Sequence, residues 1–263
     1  MDILEFKDLS ITYKEKEAVK GVSFAVPENK IVALVGESGS GKSTLLRSVL
    51  NLLSADGSIR QGNIFFRGKD MSKLSSKEMQ SLRGREISMI FQDAGSYFNP
   101  RVKIGRQYLE TLSAHLSFKK EELEALAKET LRKLKLSDAE RIMKSYPFQL
   151  SGGMLQRVAI AMAISLKPRL LLADEPTSAL DVTVQAQVVQ EILNLKKELN
   201  TAVLFVTHNM GVASKMADYI AVMKNGELME FGSREQVIFH PESTYTKDLL
   251  EAVPKLEEDA KKK

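Results

Sequence analysis

A glycine-rich segment that follows a run of apolar residues carries the strongest chemical signal in the sequence. Residues 36–43 fit the pattern Gly-x-x-x-x-Gly-Lys-Ser/Thr. Glycines let backbone N–H groups turn toward phosphate oxygens, Lys42 supplies a positive charge, and the Ser43 hydroxyl can ligate Mg²⁺. We therefore predict a phosphate-binding loop with these residues: Gly36, Glu37, Ser38, Gly39, Ser40, Gly41, Lys42, Ser43 and Thr44.

This loop alone indicates only a nucleoside triphosphate, because kinases, GTPases and motor ATPases all use it. The alternative to a phosphate-binding loop is an ordinary glycine-rich turn between a strand and a helix. The flanking segments favour the phosphate loop, since residues 31–35 form a continuous apolar run and an amphipathic stretch with Leu45, Leu46, Val49, Leu50 and Leu53 follows.

Two acidic residues end a second apolar run, residues 170–173. Ligands of α/β sheets bind beyond the carboxyl ends of strands, so Asp174 is predicted to hold Mg²⁺ beside the phosphates. Glu175 points elsewhere and could activate the water that attacks the γ-phosphate. The alternative is a pair of solvated acids at a strand end.

His208 follows a third apolar run, residues 202–207, and is expected at the same sheet edge as Asp174. A histidine there can donate a hydrogen bond to the γ-phosphate and orient Glu175 or water. A lone histidine is more often a satisfied structural residue, so this prediction depends on its neighbours.

The segment Leu-Ser-Gly-Gly-Met-Leu-Gln at 150–156 leads into a predicted helix. Ser151, Gly152 and Gly153 would offer N–H groups and a hydroxyl to an anion at the helix N-terminus. A capped helix start and nothing more is the alternative. With this segment the chain resembles an ABC-family nucleotide-binding domain, whose signature is usually LSGGQ; Met154 replaces its last residue.

The resemblance extends from about residue 3 to 250 and implies further roles. Tyr13 matches the aromatic that stacks on adenine, although a buried strand tyrosine is a reasonable alternative. Gln92 matches a glutamine that senses Mg²⁺ and the attacking water, and Asp181 ends a loop that crosses the dimer interface. By resemblance, the cofactors are ATP and Mg²⁺, and Ser151 contacts ATP bound to the opposite subunit of a head-to-tail dimer.

These residues require an α/β fold. We predict a P-loop ATPase core with a mixed, mostly parallel sheet, an N-terminal antiparallel β subdomain of short strands, and an inserted α-helical subdomain. Residues 1–253 would form one nucleotide-binding domain, with the core at 1–93 and 168–253 and the helical subdomain at 94–167. A helix over 182–199, a hairpin turning at Asn225-Gly226 and a flexible tail over 254–263 complete the prediction.

Two stretches narrow the family. Residues 174–188 and the segment from His240 to Leu250 resemble ATPases of oligopeptide, dipeptide and nickel importers. Many peptide-importer ATPases carry a longer C-terminal region with clustered cysteines. This chain has no cysteine, which favours the nickel or metal-chelate branch over the peptide branch. The resemblance implies a peripheral subunit at the cytoplasmic face of the membrane, with a second ATPase subunit, two permeases and, indirectly, an extracytoplasmic substrate-binding protein.

Composition sets further bounds. The formal net charge is only +4, from 38 basic and 34 acidic residues, so no nucleic-acid partner is expected; with no cysteine, intrachain disulfides and Cys-ligated metals are excluded. A non-transport ABC ATPase acting on DNA or ribosomes is the competing class. Residues 96–99 are candidates for the coupling surface to permeases, or Tyr97 and Phe98 simply pack the insertion.

Overall fold

A central parallel sheet lies between two apolar layers, and its strands are therefore apolar on both faces. The computed structural model of the chain describes residues 1–176 and 182–252. In the strand that precedes the phosphate loop, Val32 and Leu34 pack toward the antiparallel subdomain, whereas Ile31, Ala33 and Val35 pack toward the helices. The continuous apolar run of residues 31–35 follows from this position.

The N-terminal subdomain differs from the prediction of short strands. It contains two twelve-residue strands, β1 (Asp2–Tyr13) and β2 (Lys16–Pro27), paired antiparallel. The pairing register shifts between Phe6 and Leu9, around Asp8 with a positive φ of 47°. Such bulges interrupt the alternation without ending the strand.

The predicted mixed, mostly parallel sheet is confirmed. After β1 and β2, the strands are β3 (Ile31–Val35), β4 (Gly57–Phe66), β5 (Lys69–Asp70), β6 (Ile87–Ile90), β7 (Leu170–Asp174), β8 (Ala202–Thr207), β9 (Tyr219–Lys224) and β10 (Glu227–Ser233). The central sheet has the strand order β10-β9-β3-β8-β7-β6, and only the β9–β10 hairpin is antiparallel among its described pairs. The four-stranded subdomain has the order β2-β1-β4-β5.

The helices include a group between β6 and β7, where the sequence predicts a helical insertion. Helix α1 begins at Lys42 as expected but ends at Val49, so Leu53 lies beyond it; Asn51, with φ of 52°, turns the chain away. The helices are α1 (Lys42–Val49), α2 (Ser76–Leu82), α3 (Ala94–Tyr97), α4 (Ile104–Ser113), α5 (Lys120–Lys133), α6 (Ala139–Lys144), α7 (Gly152–Ile164), α8 (Val182–Leu199), α9 (Met210–Met216), α10 (Arg234–Phe239) and α11 (Thr244–Glu251).

The helices of the described residues are too short or too polar to cross a membrane. The predicted helix over residues 182–199 and the hairpin at Asn225-Gly226 both form as expected. Residues 254–263 of the predicted tail lie outside the described residues.

Candidate nucleotide-binding site

The phosphate loop connects the carboxyl end of β3 to the first turn of α1, as the motif requires. Gly41 is the N-cap of α1 and has a φ of 98°. A Cβ at this position would lie 2.3 Å from the Ala18 carbonyl oxygen of β2. Only glycine fits here, because both the backbone angle and the neighbouring strand exclude a side chain.

Lys42 is buried inside the loop. Its Nζ donates hydrogen bonds to the carbonyl oxygens of Gly36 at 2.9 Å and Glu37 at 2.6 Å, and to Ser40 Oγ at 3.1 Å. Burial lowers the pKa of Lys42, although the charges of Glu175 and Asp174 oppose this effect. The ammonium group is therefore held by the loop until a stronger anionic acceptor enters.

Ser43 and Asp174 come from elements far apart in sequence and meet at the base of the loop. Ser43 Oγ donates to Asp174 Oδ1 at 2.7 Å, and Arg47 Nη2 lies 3.8 Å from Oδ2. Burial raises the pKa of Asp174, which is fully buried at the end of β7. Its Oδ2 accepts no hydrogen bond within residues 1–176 and 182–252, so a hydroxyl and an undersatisfied carboxylate stand together, a donor set that suits Mg²⁺.

Glu175 leaves the direction of β7 because its backbone adopts a left-handed conformation with φ of 42°. Its Oε2 accepts a hydrogen bond from Gln92 Nε2 at 3.3 Å and lies 3.3 Å from His208 Nδ1. The predicted side chains of Gln92 and His208 therefore converge on the Glu175 carboxylate. A non-glycine residue with positive φ is strained, and such strain concentrates at functional sites. No residue pattern around Glu175 predicts this backbone conformation.

These groups surround an open cavity of about 970 Å³. Its volume suits a nucleotide, and the predicted adenine-stacking residue Tyr13 lines it. The predicted residues on its wall are Tyr13, Gly36, Glu37, Ser38, Gly39, Gly41, Lys42, Ser43, Thr44, Gln92, Glu175 and His208. Ser40 reaches the site through Lys42 instead.

Several cavity residues were not found from the sequence. They come from the β2 strand, from the hairpin turn and from the last described helix: Lys16, Glu17, Ala18, Lys20, Asn225, Gly226 and Leu249. No motif marks the four residues of β2, because they reach the cavity only through the packing of segments distant in sequence, and Asn225-Gly226 is predicted only as a hairpin turn. For the last helix, the segment from His240 to Leu250 with its HP…YT pattern is the sequence feature that could have indicated a role in the site.

The signature residues lie apart from this cavity. Ser151 is the N-cap of α7 and its Oγ accepts the Met154 N–H at 3.3 Å, as the sequence predicted. Ser151 and Gly152 are exposed, and the described residues that line the cavity include neither them nor Gly153. Asp181, the predicted interface aspartate, lies outside the described residues.

The two aromatic candidates for the coupling surface have different environments. Phe98 is buried, so it packs the insertion. Tyr97 is 58% exposed and stacks on Phe91 with ring centroids 4.2 Å apart. Both line an apolar groove of about 610 Å³ between β6 and α7. The structure thus separates a packing residue from an exposed one.

Sequence comparisons match this chain to transport ATPases. The family profile described as ABC transporter matches residues 19–178, and one described as an AAA domain (putative AbiEii toxin, type IV TA system) matches residues 144–214. The oligopeptide transport ATP-binding protein OppD of Bacillus subtilis (strain 168) is 43% identical over 97% of this chain and 73% of its own. The metal-staphylopine import system ATP-binding protein CntD of Staphylococcus aureus (strain NCTC 8325 / PS 47) is 40% identical over 99% and 97%.

Solved structures agree on the fold. CbiO1 of Clostridium perfringens, part of the ABC transporter complex cbiONQ, aligns with a TM-score of 0.79 at 24% identity over 91% of both chains. The ATP-binding cassette MJ0796, in a dimeric post-hydrolysis state bound to ADP and Pi, aligns with a TM-score of 0.78 at 30% identity over 88% of this chain and 98% of its own.

Proposed function

Because this chain belongs to the ABC transporter family as an ATP-binding importer subunit, we propose that it hydrolyses ATP in a site shared by two subunits and drives uptake of a metal chelate or small peptide. One observation carries the assignment of the site. Lys42, Ser43 and Glu175 line one nucleotide-sized cavity, and the buried Asp174 is joined to it through its hydrogen bond from Ser43.

We assign the steps of hydrolysis to these side chains. Lys42 exchanges the loop carbonyls for the β- and γ-phosphates. Glu175 accepts a proton from the attacking water, while Gln92 and His208 hold its carboxylate in place. Ser43, Asp174 and Gln92 would hold Mg²⁺, which would supply positive charge to neutralise the phosphates.

A second ATPase subunit completes the site in this proposal. Ser151 and Gly152 are exposed and Gly153 is half-buried on one chain, and all three would contact the γ-phosphate held by the other, with Asp181 at the interface. The dimeric, nucleotide-bound structure of a 30% identical cassette supports this arrangement. The second subunit is either another copy or a related chain.

The organisation of the chain follows the same proposal. Residues 1–93 and 168–253 form the ATPase core, and residues 94–167 form the signature subdomain. Tyr97 and the adjoining apolar groove face the permeases, so the subunit works peripherally at the cytoplasmic face of the membrane. Closure of the ATPase dimer would then move the permeases, a switch driven by the γ-phosphate.

Uptake assays in a deletion strain test this function and the class of substrate. Complementation with the wild-type gene restores uptake of labelled nickel chelate or of labelled dipeptide, and Glu175→Gln at equal expression restores neither. Nickel uptake alone assigns the metal-chelate branch, and dipeptide uptake alone assigns the peptide branch. Unchanged uptake of both in the deletion strain rejects the import assignment and favours the non-transport alternative.

A further inference from the structure

Helix α11, which the ATP mechanism leaves without a role, contacts the phosphate loop directly. Tyr245 in its first turn is 5% exposed, and its hydroxyl accepts the backbone N–H of Glu37 at 3.3 Å. Leu249, one turn later, lines the nucleotide cavity. A segment more than 200 positions away in sequence thus reaches the loop that binds phosphate.

Two side chains of the β9–β10 hairpin, Glu230 and Lys224, hold Tyr245 and the start of its helix in position. The Glu230 carboxylate of β10 accepts the N–H groups of Glu242 at 3.0 Å and Ser243 at 3.2 Å, which fixes the start of α11. Lys224 Nζ lies 4.3 Å from the centroid of the Tyr245 ring, in a cation–π contact. The hydroxyl is therefore placed against the loop by a rigid frame, the β9–β10 hairpin.

The peptide group that joins Gly36 to Glu37 is held from both sides. Lys42 Nζ donates to its carbonyl oxygen, that of Gly36, at 2.9 Å, and the Tyr245 hydroxyl accepts its N–H, that of Glu37, at 3.3 Å. Lys42 must leave that carbonyl to reach a phosphate, and the bond to Tyr245 does not depend on that movement. Burial raises the pKa of Tyr245, so its hydroxyl stays neutral at physiological pH.

We propose that Tyr245 is a positioning residue that keeps the Gly36–Glu37 peptide group in its binding conformation while Lys42 moves from the loop carbonyls to the phosphates. The Gly226 N–H supports the same loop from the hairpin, since it donates to the Ser40 carbonyl at 3.1 Å. This inference rests on the proposed ATP site at Lys42. It adds a determinant of nucleotide affinity that lies outside the phosphate-loop, strand-end and signature motifs.

Tyr245→Phe tests the hydroxyl, because phenylalanine keeps the ring and its packing. The matched control is Thr246→Val on the same helix; Thr246 is fully buried, and its Oγ1 has no hydrogen-bond partner in the described chain. We expect Tyr245→Phe to raise the Kd for Mg-ATP in calorimetry, and the KM for ATP, roughly three- to tenfold. We expect kcat to stay within about twofold, because the reacting groups are untouched.

A Kd within about twofold of wild type in Tyr245→Phe overturns the proposal, since a packing role alone survives this substitution. An equal rise in Thr246→Val overturns it too, because the effect would then belong to the helix and not to the hydroxyl. Lys42→Ala separates this failure from failure of the site. If Lys42→Ala loses ATP affinity while Tyr245→Phe keeps it, only the positioning role is wrong; if Lys42→Ala binds ATP normally, the site itself is wrong.

Discussion

The phosphate loop and the signature turn (Ser151, Gly152 and Gly153) both present backbone N–H groups at a helix start. They differ in how closely the rest of the chain packs around them. The loop is enclosed: Lys42 is bonded to three oxygens of the loop, and Gly41 is pressed against β2. The signature turn is open. Outside its neighbouring residues and the backbone of its own helix turn, a Cβ added at Gly152 meets no atom of the described chain within 4 Å.

In the proposed shared site, this difference separates a half that one chain completes from a half that a second subunit must reach. Close packing at Gly41 holds the loop against β2. The described chain beyond the helix of Gly152 leaves room at this position, so a ligand or partner can approach it from outside. Substitutions in the loop should therefore act on the single subunit, whereas substitutions in the signature turn should act on the dimer.

Lys42→Ala should show the largest effect on the enclosed half. The phosphates lose a buried charge-assisted partner, and we expect ATP affinity to fall about a hundredfold or more, ~3 kcal/mol. Isothermal titration calorimetry on the purified chain measures it. Lys69→Ala, an exposed lysine of β5, is the control and should bind like wild type. Equal affinity in Lys42→Ala would refute the loop assignment.

Gly41→Ala should damage the fold itself. The added Cβ meets the Ala18 carbonyl, and the left-handed backbone angle adds strain, so the free energy of unfolding should fall by about 2–3 kcal/mol. Urea denaturation followed by circular dichroism measures this change. Wild-type stability would show that the loop is not held against β2.

Gly152→Ala should give the opposite result. Because the position is open, we expect an unfolding midpoint like that of wild type and ATP affinity within about twofold. Hydrolysis should fall by about tenfold or more, because the new methyl group obstructs the approach of the γ-phosphate. A phosphate-release assay measures the rate. Full activity would remove the signature turn from the site, and a large loss of stability would contradict its openness.

Asp218→Asn should have the smallest effect, a modest loss of stability. Asp218 binds the start of β3, at the end of the sheet opposite the phosphate loop. Burial alone would raise the pKa of Asp218, but the Ile31 N–H, Lys196 and Lys30 outweigh burial and lower it. A depressed folded-state pKa stabilises the fold above the ordinary aspartate pKa and loses this contribution as pH falls through the folded value.

We therefore expect Asp218→Asn to lose about 1 kcal/mol of stability at pH 7. The difference in the free energy of unfolding between Asp218→Asn and wild type should shrink as the pH falls below the ordinary pKa range of aspartate. Denaturation midpoints from pH 7 to pH 3 measure it, and ATP affinity should not change. A gap that is constant with pH would show that the charge of Asp218 is not involved.

The sequence predicted the strands whose burial is uniform. Strands β3, β7 and β8 are buried along their whole length, so continuous apolar runs located them, and the α8 helix was predicted as the connection between β7 and β8. The prediction failed where backbone geometry changes the period. The bulge at Asp8 divided β1 into apparent short strands, and the turn at Asn51 ended α1 before Leu53.

The candidate site also contains residues that the sequence predicts and contacts that it does not. Side chains within motifs, such as Lys42 and Ser43, could be predicted because spacing fixes their geometry. Contacts between distant segments could not. The left-handed backbone of Glu175 and the bond from the Glu37 N–H to Tyr245 depend on how β7 and α11 pack, and no local pattern encodes either.

Sedimentation of Glu175→Gln with and without Mg-ATP tests the shared site most directly. Without the base, ATP should remain bound and hold two subunits together, so the variant should sediment as a dimer with ATP and as a monomer without it. If the natural partner is a related chain, the same experiment uses the mixed pair. Adding Gly152→Ala to the variant should abolish the ATP-dependent dimer. A variant that binds ATP fully and stays monomeric, alone and with its related partner, would contradict the account.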